Sequence, residues 1–365
     1  MARDSLFGGR IVWAGRPERV SLPPMARAIA ACAAVMAVVS VLFAVVVARA
    51  VHAQVGGMLT FGVWCATLAL GAWRVPLWWL SSMEYVITDN QVIVRRGRMR
   101  RTIARDTISY ARIAWGEGDV GDLTLVRAVP TGALRRTLSV TLFGVRAPDR
   151  VWAIVRGIEA SAPLGDGDRD LAQRLDTGER VIWSGIPKAS AWSVRRIASA
   201  ALAFVLALAA LRMLMHAVPA IGKILHQGAM SNGLSALLIA GVALAGATLI
   251  SASAGVGYWS ILRPLRLVQQ TRYFVTDKRV LIRRGKEELH LERSRIAYVI
   301  SADYKGMSDV FLVLDGPQAR ALAPSGAFDE RADTDTLMPV LSAIEDADTV
   351  SAILRAAPAM LPEAA

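Results

Sequence analysis

Two groups of basic residues are the part of the sequence best suited to bind a ligand. Each group surrounds a glycine. A guanidinium or ammonium group next to an anionic membrane contributes about 1 kcal/mol of attraction. Two interpretations stay open: a clamp for anionic lipid headgroups, and a solvated turn that only follows the charge bias of membrane proteins. The residues are Arg95, Arg96 and Arg98 around Gly97, and Arg283, Arg284 and Lys286 around Gly285.

Two short motifs match the residue pattern of ligand-binding sites but lack the neighbouring residues or elements that such sites require. Gly116–Gly121 reads G-x-G-x-x-G, but a dinucleotide site needs a helix after the glycines. The β-rich residues 123–126 follow instead, which indicates a hairpin loop. Residues 166–170 begin like a calcium loop, yet Leu171 and Thr177 stand where glycine and glutamate are required. We interpret that segment as a solvated linker.

Catalytic and metal-binding constellations are not evident. His52, His216 and His226 could meet at one face of a membrane and bind zinc, but nothing in their spacing fixes a site. Asp89 and Asp277 are the acidic pair shared by the two copies of the repeat described below, and as turn residues they suit a hairpin. We therefore predict no metal, no cofactor and no enzymatic activity.

Composition indicates a membrane protein. The 365 residues have a mean hydropathy of +0.40 and are 54% hydrophobic but only 7% aromatic, so the excess is aliphatic. The net charge of +12 fits the retention of Lys and Arg on the cytoplasmic side. No nucleic-acid motif accompanies this charge, so we expect no nucleic-acid partner. The two cysteines are too few for a disulfide framework.

Four apolar segments form two hairpins. They cover about residues 28–48, 55–73, 197–218 and 234–262, and each is long enough to cross a bilayer. The short loops inside the hairpins carry few basic residues, whereas the flanking regions are rich in arginine. The charge bias predicts that both termini are cytoplasmic.

The sequence around each hairpin occurs twice. A W-x-G-x-P motif precedes each hairpin and a Y-x-[IV]-T-D motif follows it, which indicates a duplicated unit and not a solenoid. Short β-rich runs then alternate with turn residues and end in a helix-like segment, which predicts a small barrel or strongly bent sheet capped by a helix. The motif residues are Trp13, Gly15, Pro17, Tyr85, Thr88, Asp89 and Gly97 in the first copy, and Trp183, Gly185, Pro187, Tyr273, Thr276, Asp277 and Gly285 in the second.

These motifs resemble those of the bacterial pleckstrin-homology-like domain family of membrane proteins, over about residues 10–158 and 180–357. The resemblance implies an α+β membrane protein with four transmembrane helices in two hairpins. Each hairpin would precede a cytoplasmic, seven-stranded, helix-capped domain. The resemblance to this family identifies no catalytic residues in this chain. Some relatives are associated with envelope stress, peptide-antibiotic tolerance or assembly of membrane complexes.

The predicted domains follow the repeat. They are an N-terminal segment (1–27), hairpin one (28–80), domain one (81–160), a linker with the second W-x-G-x-P (161–196), hairpin two (197–264), domain two (265–358) and a tail (359–365).

Three functions remain as hypotheses. The first is a scaffold that binds membrane lipids and a protein partner and that could form a homo-oligomer. The second is a transporter, although the membrane segments hold few ionisable side chains besides Arg212. The third is an enzyme acting on a lipid or envelope substrate, for which Asp89 and Asp277 would be the candidate carboxylates.

Overall fold

The computed structural model of the protein describes residues 9–51, 55–131, 134–158, 165–188, 194–226, 232–304, 307–314 and 337–356. Within these residues the chain is a mixed α+β protein with antiparallel sheets. It divides into two compact units. A helical unit comprises residues 22–78 and 192–265, and a strand-rich unit comprises residues 1–21, 79–191 and 266–365. The predicted tail and His52 lie outside the described residues.

The helical unit is built from long apolar helices: α1 (Pro24–Val51), α2 (Gly56–Ser81), α4 (Val194–His226) and α5 (Asn232–Gly257). Among the described residues, three stretches are long and apolar enough to cross a membrane: Met25–Arg49, Gly56–Ser81 and Ile197–Lys223. Large apolar side chains project from them, for example Val63 and Phe204, both 65% exposed. Exposed apolar surface of this kind marks a membrane or protein interaction site.

The fourth predicted segment forms α5 and continues as one irregular helix. Its described apolar part, Leu244–Gly257, is shorter than a full span. A turn of π-helix at Tyr258–Leu262 leads into α6, Arg263–Gln270. Pro264 follows the π turn, and proline has no N–H to donate to the preceding turn. The irregularity therefore has a local cause in the sequence.

The strand-rich unit consists of two halves that contain the same set of secondary-structure elements. Among the described residues each half supplies seven strands and one closing helix. The first half consists of β1 (Ile11–Gly15), β2 (Glu84–Thr88), β3 (Gln91–Arg96), β4 (Met99–Ala104), β5 (Tyr110–Trp115), β6 (Val120–Thr131), β7 (Leu134–Arg146) and α3 (Pro148–Arg156). The second half consists of β8 (Val181–Gly185), β9 (Thr271–Thr276), β10 (Arg279–Arg284), β11 (Glu287–Glu292), β12 (Ile296–Tyr304), β13 (Met307–Leu314), β14 (Val340–Ile344) and α7 (Ala347–Arg355).

One sheet crosses from the first half into the second. Its strand order is β7-β6-β5-β11-β10-β9-β8, and the other two sheets have the orders β1-β2-β3-β4 and β12-β13-β14. The junction is an antiparallel pair in which Tyr110 of β5 lies opposite Leu291 of β11 and Ala114 lies opposite Glu287. The backbone groups at this edge of β5 are therefore satisfied by the other half.

The closed barrel that we gave as one form for each half is not present among the described strands. β4 and β5 do not pair with each other, because β5 pairs with β11 instead. There are still two cores, of which the first is formed by residues of the first half alone. Tyr85, Ile113 and Leu142 are fully buried in the first, against α3. The second core includes Tyr110 and Val126 of the first half.

The W-x-G motif is explained by close packing of the tryptophan onto the glycine. β1 pairs with β2 and β8 pairs with β9 in the same register, with the same irregularity before the tryptophan. A Cβ atom on Gly15 would lie 2.5 Å from the ring of Trp13, and one on Gly185 would lie 2.2 Å from the ring of Trp183. Only glycine leaves room for the ring in either half.

We expect Gly15→Ala to destabilise the protein by about 1–3 kcal/mol, because the added methyl group forces the Trp13 ring from its place. The thermal unfolding midpoint of the full chain in mild detergent measures this. Gly9→Ala is the matched control, since a Cβ there meets only Thr88 at an ordinary 3.5 Å. Equal midpoints for the two variants would contradict the packing described for the motif.

Candidate functional site

The threonine and aspartate of the Y-x-[IV]-T-D motif hold the β-turn that follows them. Thr88 Oγ1 accepts a hydrogen bond from Gln91 N at 3.1 Å, and Thr276 Oγ1 accepts one from Arg279 N at 2.9 Å. The backbone N–H groups of Asp89 and Asp277 donate to the carbonyls of residues 10 and 180, just before β1 and β8. Both aspartates thus occupy equivalent structural positions.

The motif tyrosines hydrogen-bond to the backbone of the last strand in each half. Tyr85 Oη lies 2.9 Å from the amide nitrogen of Phe143, and Tyr273 Oη lies 3.1 Å from that of Ser342. Burial raises the pKa of both phenols, that of Tyr273 to about 12. Both therefore stay neutral and can donate as well as accept.

The motif prolines end β1 and β8 and lead to equivalent contacts. Pro17 is half-buried and Pro187 is buried. The residue after each proline donates its backbone N–H to a residue with a left-handed backbone: Glu18 to Gly144 O and Lys188 to Ala343 O, both at 2.8 Å. The motif residues thus carry the same structural contacts in both halves.

One equivalent pair of structural arginines was missed from the sequence. Arg105 donates to the carbonyls of Ile154 and Val155 at the end of α3, at 2.9 and 2.7 Å. Arg293 donates to the carbonyls of Ile353 and Ala356 at the end of α7, at 2.6 and 2.9 Å. Each arginine satisfies free carbonyls at a helix end. Their equal distance from the turn glycines was the available signal.

The first basic turn is exposed at the sheet end where the chain enters from α2. Glu84, the first residue of β2, lies opposite Arg95. The Arg96 guanidinium stacks over the Trp79 ring at 3.5 Å from its centroid, and its Nε donates to Ser82 Oγ at 2.7 Å. Arg95 and Arg98 are exposed to solvent. This turn therefore presents charge outward.

The second basic turn is engaged inside the strand-rich unit. Arg283 donates to the carbonyls of Arg169 and Gly167 at 2.7 and 3.0 Å. Arg284 is buried and pairs with Glu287. Lys286 Nζ lies 3.3 Å from the carbonyl oxygen of Gly116 in the first half. The two turns match in sequence but differ in what they contact.

The other candidate motifs do not assemble. Residues 116–119 connect β5 to β6, which confirms the predicted hairpin loop. His216 lies exposed in α4, and His226 is the last residue of that helix. No group of three metal-ligating side chains occurs within the described part of the chain.

A buried ionic cluster joins the two halves, and sequence reasoning missed it. It contains four carboxylates, three guanidiniums and one imidazole, and none of these side chains is more than 9% exposed. The first half supplies two members, the segment before β8 supplies three, and the second half supplies three. The members are Asp149 and Arg156; Arg174, Asp176 and Glu179; and Arg279, Glu288 and His290.

Each guanidinium in the cluster reaches at least one carboxylate. Arg174 pairs with Glu288 and lies 3.7 Å from Asp149. Arg156 binds Asp176 through two hydrogen bonds of 2.7 and 3.0 Å. These pairs link α3, the segment before β8 and the middle of β11. Buried charges of this kind are tolerated only when they are paired and hydrogen-bonded.

Arg279 completes the cluster. It contacts both oxygens of Glu179 and lies 3.5 Å from Asp176. His290 sits between Arg279 and Glu288, at 3.3 and 3.4 Å. Burial lowers the pKa of His290, so the imidazole is neutral at neutral pH. Burial raises the pKa of Glu288, but its hydrogen bonds with His290 and Arg174 and the charge of Arg174 lower the pKa by more.

Comparison of the chain with protein-family models, with curated proteins and with solved structures finds no match in any of the three.

Removing one member of the cluster should be costly. We expect Arg279→Met to destabilise the strand-rich unit by about 3–5 kcal/mol, because the buried Glu179 carboxylate loses its cationic partner and keeps only the hydrogen bonds from Thr276 Oγ1 and Asp176 N. Exposed Arg127 on β6 is the matched control, and Arg127→Met should change stability by no more than about 0.5 kcal/mol. Thermal or denaturant unfolding of the full chain measures both. If both variants change the stability by a similarly small amount, the claim that the buried cluster stabilises the protein is contradicted.

Stability should fall as the solution becomes acidic. Below pH 6.5, the ordinary pKa of histidine, His290 takes up a proton in the unfolded chain but resists protonation in the folded one. Nearer pH 4 the unfolded carboxyl groups take up protons more readily than folded Asp176 and Glu288, whose pKa values are lowered. Both effects favour the unfolded chain at acidic pH.

We expect the unfolding midpoint to decline between about pH 7 and about pH 4. The variant His290→Gln should lose the upper part of that decline and keep the lower part. A midpoint that rises on acidification, or a profile unchanged by the substitution, would show that the buried histidine is not coupled to folding.

Proposed function

We propose that this protein is a membrane-anchored scaffold whose first basic turn binds anionic lipid headgroups. The observation that carries this proposal is the contrast between the two turns. The second is occupied by contacts within the chain, whereas Arg95 and Arg98 of the first are exposed. An exposed cluster of arginines on a protein with membrane-length helices suits an anionic leaflet.

The surroundings of the first turn support the same assignment. Trp79 lies under Arg96, and tryptophan is the side chain favoured at the level of lipid headgroups. Met99, directly after the turn, is 66% exposed. Cationic and apolar groups side by side fit a headgroup and the upper part of an acyl chain. The cation–π contact holds the backbone of the turn at this position.

The membrane arrangement is part of the proposal. We infer four spans in two hairpins, with α5 as the fourth, and both termini on the cytoplasmic side of a bacterial inner membrane. The apolar helices and the arginine-rich flanks support this arrangement. The charge bias then puts the strand-rich unit and its basic turn against the anionic inner leaflet.

We further propose that the chain is a duplicated member of the bacterial pleckstrin-homology-like domain family of membrane proteins. Support comes from seven described strands and one closing helix in each half, and from motif residues with equivalent contacts. The scaffold would hold a protein partner at the membrane and carry out no catalysis. Envelope stress, antimicrobial tolerance and assembly of membrane complexes are the settings that such kinship suggests.

We expect Arg95→Ala/Arg98→Ala to weaken binding of anionic lipid about 30-fold, because two charges at about 1 kcal/mol each amount to about 2 kcal/mol. The full chain in mild detergent is titrated with short-chain phosphatidylglycerol, and native mass spectrometry counts the bound lipid. Short-chain phosphatidylcholine should bind weakly to every variant.

Arg127→Ala/Arg150→Ala is the control for this experiment. It removes the same charge from two other exposed positions of the strand-rich unit, and it should leave the affinity for phosphatidylglycerol unchanged. If both double variants bind the lipid equally well, or if phosphatidylcholine competes on equal terms, the proposed lipid site is wrong.

A further inference from the structure

A cavity of about 260 Å³ lies where the two halves of the strand-rich unit meet. Its described lining comes from residues 105–109 of the first half, from the C-terminal part of α3, and from the 3₁₀ turn at 293–295 of the second half together with the residue before it. The space is several times larger than a water molecule, yet smaller than most pockets that hold drug-sized ligands. It therefore suits a small ligand that contacts both halves.

Two residues of this lining carry a buried N–H group that has no hydrogen-bond partner within the described part of the chain. The groups are Nε1 of Trp152, which is 5% exposed, and Nε of Arg156, whose side chain is 6% exposed. The two residues are four apart on α3 and so are neighbours on one face of that helix. Because a buried donor without an acceptor is costly, both groups need an acceptor that the described chain does not supply.

The indole donor is a property of the first half and not of the fold. α3 and α7 close the two halves and have the same length, and the fifth residue is Trp152 in α3 but Ser351 in α7. The closing helix therefore forms without an indole at this position. In Arg156 both Nη atoms bind Asp176, so that Nε is the nitrogen left for a further acceptor.

The second half adds a cation to the same cavity. Arg295 is half-buried, and its guanidinium makes a single hydrogen bond among the described residues, from Nη2 to the carbonyl oxygen of Asp106. Arg105 adds positive charge, although its own N–H groups are bound to backbone carbonyls. A guanidinium is always charged and carries several donors, and it therefore binds phosphate oxygens well.

Two carboxylates in the lining narrow the choice of anion. Asp106 is exposed and Glu292 is half-buried. Carboxylates repel an anion that has no proton to share, but they accept hydrogen bonds from O–H groups. Hydrogen phosphate and hydroxylated phosphate esters combine charged oxygens with O–H groups, whereas sulfate carries no proton at neutral pH. The lining thus favours phosphate compounds over sulfate.

We propose that this cavity binds a small phosphate compound that carries O–H groups, either hydrogen phosphate or a hydroxylated phosphate ester. The phosphate oxygens accept hydrogen bonds from Trp152, Arg156 and Arg295. The O–H groups donate to Asp106 and Glu292. The ligand thereby links α3 of the first half to the 3₁₀ turn of the second. This site is separate from the first basic turn, and it does not depend on the proposed binding of lipid there.

Equilibrium dialysis of the full chain in mild detergent tests the proposal. Radiolabelled inorganic phosphate and radiolabelled glycerol 3-phosphate are the two probes, and sulfate is the competitor at constant ionic strength. We expect a saturable site, from which sulfate displaces the probe only at concentrations about tenfold or more above those of the unlabelled probe. The probe that binds more tightly identifies the source of the phosphate group as the free ion or an ester.

Three variants assign the site to these residues. Arg295→Gln should weaken binding about tenfold or more, because it removes a charged donor. Trp152→Phe should weaken it about threefold or more, because it removes the indole N–H and keeps an aromatic ring. Glu292→Gln should reduce the preference for phosphate over sulfate, because sulfate is then repelled less. Arg127→Gln, at an exposed position of β6, is the control and should change neither affinity nor preference.

The thermal unfolding midpoint of each variant shows whether it is folded at the temperature of the dialysis. The proposal is overturned if neither probe shows a saturable site, since water then fills the cavity, or if sulfate competes as well as the phosphate compounds. It is also overturned if folded Arg295→Gln binds the probe as tightly as Arg127→Gln does. If Arg295→Gln does not fold, an unchanged preference in Glu292→Gln overturns it instead.

Discussion

The ionic cluster beneath the β5–β11 pair is the interaction on which the rest of the strand-rich unit depends. Its charged groups are stable out of water only while every partner stays in place. Arg174 comes from the segment between the halves, Asp149 from the first half and Glu288 from the second. Neither half can satisfy these groups alone. The strand pair and the cluster therefore make two similar halves into one body.

This constraint explains why two matching turns have different surroundings. The segment at 165–176 carries Arg174 and Asp176 into the cluster. Arg283 binds carbonyls of that segment, and Lys286 reaches the first half. The second turn is consequently used for internal contacts. No equivalent segment of the described chain covers the first turn, whose Arg95 and Arg98 stay exposed.

Local features could be predicted from the sequence, and long-range ones could not. The strand of Tyr85, the glycine turns and the closing helix after Pro148 follow from local residue types, and both Gly97 and Gly285 have the positive φ that such turns require. The cluster depends on Arg174 meeting Glu288, which lie far apart in sequence and show no spacing rule. The polar segment 166–170, which leads to Arg174, is predicted from the sequence to be a solvated linker. Its role appears only in the folded contacts.

Hydrogen exchange of the backbone amides in β5 and β11 tests most directly whether the halves form one body. Hydrogen bonds across an antiparallel pair alternate along the strands, and Trp115 N donates to Lys286 O, so the amides of Ile113 and Glu288 are the ones that bond across the junction. We expect these two amides to exchange as slowly as those of Val92 and Ile282, which lie in the cores of the two halves. All four should be released together as the pH is lowered, because one cooperative opening exposes them. Fast exchange of β5 and β11 beside protected cores would contradict this, since it would mean that the halves fold and open separately.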